Sequence, residues 1–195
     1  FDGQHAEAPV RSGKAELSLH LENPRLWSPD SPNLYEGTVC ITHDGKTDEF
    51  CTYVGVREIS AARVDGRDFK WILLNGKPVY LNGTLDQAFN PQGYFTYPGE
   101  ADIRAEAWRL KRLGLNMARI HIKPEEPRKL YWMDRLGVLV MEDMPWFWGE
   151  PNEEARNAYE NELDQMIARD FNHPCIFAWV VFNETWGLFT TKGAA

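Results

Sequence analysis

Four places along this 195-residue chain set acids, a base or amides directly behind short apolar runs. They are Asp86-Gln87, Arg119 with His121, Glu142-Asp143 and Asn183-Glu184. Such groups are expensive to bury, so their recurrence at the ends of apolar runs points to one shared polar mouth. The chemistry open to them is cleavage of a sugar acetal, in which one carboxylic acid protonates the leaving oxygen and a second carboxylate acts as nucleophile or base. A glutamic acid fills the acid role where a partly apolar setting keeps it protonated. Glu184 follows the apolar run Ile176–Phe182 and precedes Thr185-Trp186, and the amide of Asn183 beside it can hold a sugar hydroxyl. Spacing alone leaves a second reading open, in which Glu184 caps a loop beyond the strand. A metal site could be drawn from His121, Glu142, Asp143 and Glu184. No His-x-His or His-Glu-x-x-His spacing occurs, however, so neither a metal nor another cofactor is expected.

The elements that must position these groups change character near residue 60. Before it, Ala15–Leu21 alternates Leu17, Leu19 and Leu21 with polar residues, the period of a half-buried strand. Tyr35–His43 and Asp48–Val56 read as two more strands around Asp44-Gly45, with Val39, Ile41, Phe50 and Val54 on one face. After it, Val79–Leu81, Leu115–Ile122, Val138–Met141 and Ile176–Phe182 read as apolar strands. Three helices separate them. Glu100–Leu113 turns Ile103, Ala107, Leu110 and Leu113 inward, and Pro127–Leu136 turns Leu130, Met133 and Leu136 inward before Gly137. A third helix, capped by Asn152, carries Ala155, Tyr159, Leu163, Met166 and Ile167. Strands apolar on both faces and alternating with helices imply a parallel sheet covered by helices. No GxGxxG or GxxxxGK[ST] loop is present. That favours a (β/α)8 barrel, whose strand ends converge on one mouth, over a doubly wound nucleotide-binding sheet.

With 43% hydrophobic and 26% charged residues the composition is that of a globular protein, which excludes disordered, collagenous and coiled-coil classes. A net charge of −8 argues against nucleic acid as a partner. No apolar run approaches the roughly 18–20 residues that span a bilayer, so no membrane partner is expected. Eight Trp, seven Tyr and ten Phe suit a thick core or a surface on which flat rings stack on a ligand. The run Trp146-Phe147-Trp148 reads equally as a plug between loops or as a sugar-stacking wall, whereas Trp71, Trp108 and Trp132 read as packing residues. Glu150, Glu153 and Glu154 read as a solvated helix start. A turn centred on Gly45-Lys46 would set Cys40 opposite Cys51 and one centred on Asp44-Gly45 would not; buried free thiols are the expectation. Phe1 is not a start methionine, and the chain is expected to be cut from a longer protein whose compartment the sequence does not specify.

The stretch Asn172-His173-Pro174-Cys175-Ile176 through Trp179-Val180-Val181-Phe182-Asn183-Glu184-Thr185-Trp186-Gly187 resembles the acid/base motif of glycoside hydrolase family 2, the family of β-galactosidases, β-glucuronidases and β-mannosidases. Three further stretches resemble the same family in the right order. Leu73–Leu81 is similar to its barrel entry, Gly114–Lys123 to its second-strand motif, and Asp134–Val140 to its approach to the third strand. The resemblance implies a partial immunoglobulin-like β-sandwich over residues 1–60, followed by the first half of a (β/α)8 TIM barrel over residues 61–195.

The activity it implies is that of a retaining β-glycosidase, β-galactosidase-like, acting on carbohydrate. Glu184 matches the general acid/base and Asn183 the residue that binds the sugar 2-hydroxyl. Arg119 matches an arginine that contacts the nucleophile's carboxylate. His121, Asp86, Asp143 and Trp186 fall at positions used for substrate binding. His121 stands two residues after the arginine where better-known members have histidine three after, so its contact on the sugar is not assigned. His173 is expected to order the loop into the fourth strand. The family's nucleophile is a glutamate from a later strand, and eleven residues follow Glu184. The nucleophile is therefore expected outside this chain, Glu142 being the one nearby stand-in. The isolated piece is expected to be inactive, with two unpaired sheet edges. The implied partner is an oligosaccharide or glycoside, in a full-length enzyme that could be a homo-oligomer. Two rivals remain open: a non-catalytic carbohydrate-binding relative that kept the mouth, and a metal-dependent barrel hydrolase.

Overall fold

A computed structural model describes residue 1 and residues 3–145 and 152–184. Trp146, Phe147, Trp148, Glu150 and Trp186 lie outside the described residues. The N-terminal part begins with two short antiparallel strands, β1 (Trp27–Ser28) and β2 (Ser31–Pro32). A nine-residue hairpin follows, β3 (Tyr35–His43) against β4 (Lys46–Val54). Its turn is Asp44-Gly45, with φ of 49° and 74°, the left-handed pair that a two-residue hairpin turn requires. This turn sets Cys51 opposite Thr38 and Cys40 opposite Glu49. The two cysteines do not face each other, and both are exposed free thiols, not the buried ones expected. The reason is register: both cysteines fall on the hairpin's polar face with Thr38, Thr42, Thr47 and Glu49, all exposed, opposite the face that carries Val39, Ile41 and Phe50. Ala15–Leu21 forms no strand either. Alternation alone does not make a strand, because each extended residue needs a hydrogen-bonding neighbour, and no described segment pairs with this one.

A three-stranded antiparallel sheet then leads into the parallel part. It comprises β5 (Ile59–Arg63), β6 (Lys70–Leu74) and β7 (Lys77–Pro78), with Asn75-Gly76 at the second turn. The rest alternates strictly: β8 (Gly83–Asp86), α1 (Glu100–Arg112), β9 (Met117–Ile120), α2 (Pro127–Leu136), β10 (Leu139–Asp143), α3 (Glu153–Asp170) and β11 (Ile176–Val180). The four strands form one parallel sheet in the order β8-β9-β10-β11. β8 lies later than the run Val79–Leu81, expected as the first strand. Val79 and Leu81 pack on the core, with Tyr80 between them exposed, while the ladder begins at Gly83, opposite Met117. α2 matches its sequence bounds because Pro127 opens it and Gly137 closes it in the left-handed region at φ 73°. A Cβ on Gly137 would also come within 2.4 Å of the Pro29 carbonyl oxygen, so glycine is required there twice over. Leu113, expected inward, is 74% exposed, because α1 ends at Arg112 and the chain turns through Gly114. Trp108, expected as packing, is half exposed beneath the Arg112 guanidinium.

One core joins the two parts. Trp27 is fully buried among Ala118, Ile120, Leu130, Met133 and Val140, and its indole N–H donates to the Asp134 carbonyl at 2.8 Å. The Asp134 carboxylate gathers Tyr53 from the hairpin (2.6 Å), His173 (2.6 Å) and the amide of Cys175 (2.8 Å). Arg57 donates to the carbonyl of Pro174 at 2.9 Å and to that of Ile176. The entry to β11 is thus gripped by side chains from the N-terminal part, and β11 leads directly to Asn183 and Glu184. Burial, together with the charge of Asp134, drives the Tyr53 hydroxyl far above its ordinary range, so it stays a donor. Among the described residues no helix is long and apolar enough to cross a membrane.

Candidate active site at the strand ends

Strand register decides which side chains meet. Leu85, Arg119 and Met141 lie opposite one another on successive strands, as do Asp86, Ile120 and Glu142. Facing residues on paired strands share a face, so Arg119 and Asp143 project from one face while Asp86 and Glu142 project from the other, toward the helices.

On the first face, Arg119 grips the buried Asp143 by two parallel bonds, Nε to Oδ1 at 3.0 Å and Nη2 to Oδ2 at 2.8 Å. The same Nη2 also donates to Asn183 Oδ1 at 2.8 Å. Three strands are thereby tied at their C-terminal ends by one planar cation, a geometry that lysine could not reproduce. The Arg119 guanidinium is held above its ordinary range by its hydrogen bonds to Asp143 first. Burial opposes that effect, and the charges of Asp143 and Glu184 add to it. Glu184 therefore stands within electrostatic reach of Arg119, exposed at the end of the described stretch. Backbone strain marks the same rim. Ala88, Ile122 and Glu184, which follow β8, β9 and β11, have φ of 52°, 53° and 52°. Each such residue costs about 1–3 kcal/mol, and a β-branched residue there is a true outlier. Ile122 is compensated in part by its amide, which donates to Asp143 Oδ2 at 3.2 Å.

The structure therefore brings together Arg119, Asp143, Asn183 and Glu184. His121, just past the end of β9, turns to the neighbouring β8, its amide on the Asp86 carbonyl (2.9 Å) and its Nδ1 3.1 Å from Gln87 Oε1. Asp86 is not part of this group: its carboxylate turns to the helix side, where Oδ1 accepts from Ala88 N (2.7 Å) and Oδ2 from Lys129 (2.7 Å). Trp186 lies outside the described residues. His173 orders the turn into β11 through Asp134.

Two buried clusters on the helix side were not visible in the sequence. Lys129, wholly buried in α2, lies 2.7 Å from Asp86, 3.0 Å from Glu125 and 3.2 Å from Glu106, and donates to the Tyr97 hydroxyl at 2.6 Å. Burial alone would lower its ammonium, but Glu125 and Asp86 outweigh that and hold it well above its ordinary range. Only the spacing of Glu125 and Lys129, four residues apart, hinted at this pair.

The second cluster surrounds Glu142, which is fully buried; its Oε1 accepts from Glu125 N at 2.8 Å, while Oε2 has no hydrogen-bond partner among the described residues. Burial pushes its carboxyl up from 4.5 to about 7, helped by Asp170 and Glu125 and opposed by the Glu125 amide and Arg169. It faces away from Arg119, so it is poorly aimed to replace a nucleophile. Because the folded-state value is raised, the protonated form's contribution to stability is fully present below about pH 4.5 and is lost as pH rises through about 7. Glu142→Gln keeps an acceptor for Glu125 N and removes the ionisation. The variant is expected to match the native protein near pH 4.5 in urea unfolding and to exceed it at pH 8, by up to about 3 kcal/mol. A pH-independent difference would show that Glu142 does not titrate in this range.

Among the described residues no group of three or more His, Cys, Asp or Glu is arranged to hold a metal ion. Comparison with known proteins places the chain. The family model described as "Glycosyl hydrolases family 2" matches residues 2–57, and that described as "Glycosyl hydrolases family 2, TIM barrel domain" matches residues 64–194. A β-galactosidase of Thermoanaerobacter pseudethanolicus is 34% identical over 174 residues, covering 86% of this chain and 22% of that protein. A putative β-glucuronidase of Formosa agariphila is 30% identical over 182 residues, covering 92% and 21%. Among solved structures, the apo form of Bacteroides uniformis β-glucuronidase 3 superposes with a TM-score of 0.73 at 29% identity, covering 83% of this chain and 20% of that one. The chain spans about a fifth of the length of these curated relatives.

Proposed function

We propose that this chain, which belongs to family 2 of the glycosyl hydrolases, forms the acid/base half of a retaining β-glycosidase. Residues 1–60 are read as the last part of an immunoglobulin-like sandwich and residues 61–195 as the first half of a (β/α)8 barrel. The observation that carries the reading is the Arg119–Asp143–Asn183 network beside Glu184, at the C-terminal ends of parallel strands, where barrel enzymes build their active sites.

In this reading Glu184 protonates the departing glycosidic oxygen while a glutamate from another part of the protein attacks the anomeric carbon from about 5–5.5 Å across the site. Glu184 then deprotonates the water that releases the sugar, as microscopic reversibility requires. Arg119 has two anchors that fix its plane, and its remaining N–H groups can meet the nucleophile's carboxylate. Asn183, oriented because its Oδ1 already accepts from Arg119, presents its NH2 to a sugar hydroxyl. His121 stands on the rim of the same mouth. The relatives named above support a β-galactoside or a β-glucuronide as substrate, without choosing between them.

The test is hydrolysis of a panel of aryl β-glycosides by the longest native form of the protein, with the first-formed product followed by proton NMR. One sugar should be released, initially as its β-anomer. Initial release of the α-anomer would exclude a retaining mechanism. No turnover by a well-folded protein would move the chain to the carbohydrate-binding class.

A further inference from the structure

The loop after β8 carries an unusual pairing of order and exposure. Phe89 and Phe95 lie side by side, ring centroids 4.9 Å apart and planes 47° apart, yet they are 55% and 63% exposed. Large rings left in water by a mobile loop would need no account, but this loop is fixed at every stage. Ala88 is buried and its amide is held by Asp86. Asn90 and Tyr94 exchange two backbone bonds of 2.8 Å, and Asn90 Oδ1 accepts from the amides of Gln92 (2.9 Å) and Gly93 (3.1 Å). Tyr97 closes the loop, buried, with its hydroxyl on Glu106 and Lys129. Lys123 braces the pair from β9's side: its Nζ donates to the Ala88 carbonyl at 2.8 Å and stands 5.9 and 5.3 Å from the two ring centroids. Pre-organisation of this kind removes the ordering cost that a ligand would otherwise meet.

The ledge is continuous with the candidate site. Lys123 follows Ile122, whose amide is bonded to Asp143, and Asp143 is the partner of Arg119. Gln87, two residues before Phe89, meets His121 on the rim. The floor around Arg119 and Asn183 is built of hydrogen-bonding groups, suited to reading the hydroxyls of the ring that is cleaved. The ledge offers two apolar faces at the edge, suited to the C–H face of a second ring. The geometry points to Phe89 and Phe95, braced by Lys123, as a stacking subsite for the pyranose on the leaving-group side of the scissile bond. This rests on the glycosidase reading and deepens it, since it makes the protein select an oligosaccharide over a simple glycoside.

The experiment compares the longest native form with its Phe89→Ala/Phe95→Ala and Phe89→Tyr/Phe95→Tyr variants. The substrates are lactose and β-galactosyl fluoride, or the corresponding β-glucuronyl disaccharide and fluoride if glucuronides are cleaved. Fluoride leaves nothing to stack. In the alanine variant kcat/KM on the disaccharide should fall about tenfold, mostly through KM, and stay within about twofold on the fluoride. The tyrosine variant should stay near native on both. Equal losses on both substrates would make the rings structural, and no loss on either would show them covered or unused; both results overturn the subsite. Calorimetric binding of the same disaccharide to Glu184→Gln, with and without the alanine changes, separates this proposal from the parent one. Ring-dependent binding by a protein that hydrolyses nothing would retire the glycosidase and keep the ledge. Binding that is absent, or indifferent to the rings, would remove the ledge.

Discussion

Glu184→Ala is expected to lower kcat/KM by about 10²–10⁴ on glycosides with poor leaving groups, such as alkyl glycosides and disaccharides. On a 2,4-dinitrophenyl glycoside the same change should cost less than about tenfold. The asymmetry follows from the role. An alkoxide cannot depart without a proton, so the whole contribution of the acid is lost, whereas a dinitrophenolate departs without one. A tenfold change in rate is about 1.4 kcal/mol of barrier, so the two substrate classes should separate by roughly 1.4–5.5 kcal/mol. Steady-state kinetics on a series of aryl and alkyl leaving groups measures it directly. Equal losses across the series would mean that Glu184 does something other than proton transfer. The left-handed backbone at Glu184 makes the location credible, because strain of this sort persists where the surroundings hold a side chain in a particular aim.

Lys129→Met should be the most damaging single change to the fold. The methionine fits the volume of the stem but leaves Glu125, 0% exposed, and the partly buried Asp86 and Glu106 without their shared cation. Removing one partner of a buried ion pair destabilises by about 3–5 kcal/mol, more than the pair itself contributes relative to an apolar replacement. Urea unfolding of the variant beside the native protein at neutral pH measures the deficit. A loss below about 1 kcal/mol at neutral pH would show that the carboxylates find other partners. Asp86 then matters to the site indirectly. Its carbonyl receives the amide of His121 and its carboxylate fixes Ala88, so the Lys129 cluster holds both the rim and the aromatic loop.

How much of this was legible in the sequence depended on whether the deciding interaction was local. The ends of α2 were readable because Pro127 and Gly137 act through their own backbones. The hairpin turn was readable because Asp44-Gly45 supplies both left-handed residues. The alternation of strands and helices was readable from apolar runs of the right length. Ala15–Leu21 was misread because a strand is completed by its neighbour and not by its own pattern. Val79–Leu81 was misread because apolar residues can serve packing without joining a ladder. In the site, the strand ends identified Arg119, Asp143, Asn183 and Glu184 as neighbours, since parallel strands bring their C-termini to one side. Which face each polar residue takes was beyond reach. Asp86 turns to the helices because register pairs it with Ile120 and not with Arg119, a difference of one residue that no local signal fixes. Lys129 was invisible for the opposite reason: a lysine in an amphipathic helix reads as solvent-facing until three carboxylates from α1, β8 and the loop before α2 close around it.

The central claim is that Glu184 is the acid/base of a retaining pair, and the stereochemistry of azide rescue tests it most directly. With the acid/base removed, the face from which water would attack is open, and azide needs no proton removed before it attacks the glycosyl-enzyme. Glu184→Ala in the longest native form, given an activated aryl β-glycoside and azide, should regain turnover and release the β-glycosyl azide, identified by proton NMR. Release of the α-glycosyl azide would make Glu184 the nucleophile, and absence of rescue in a folded variant would contradict any direct part for Glu184 in the chemistry.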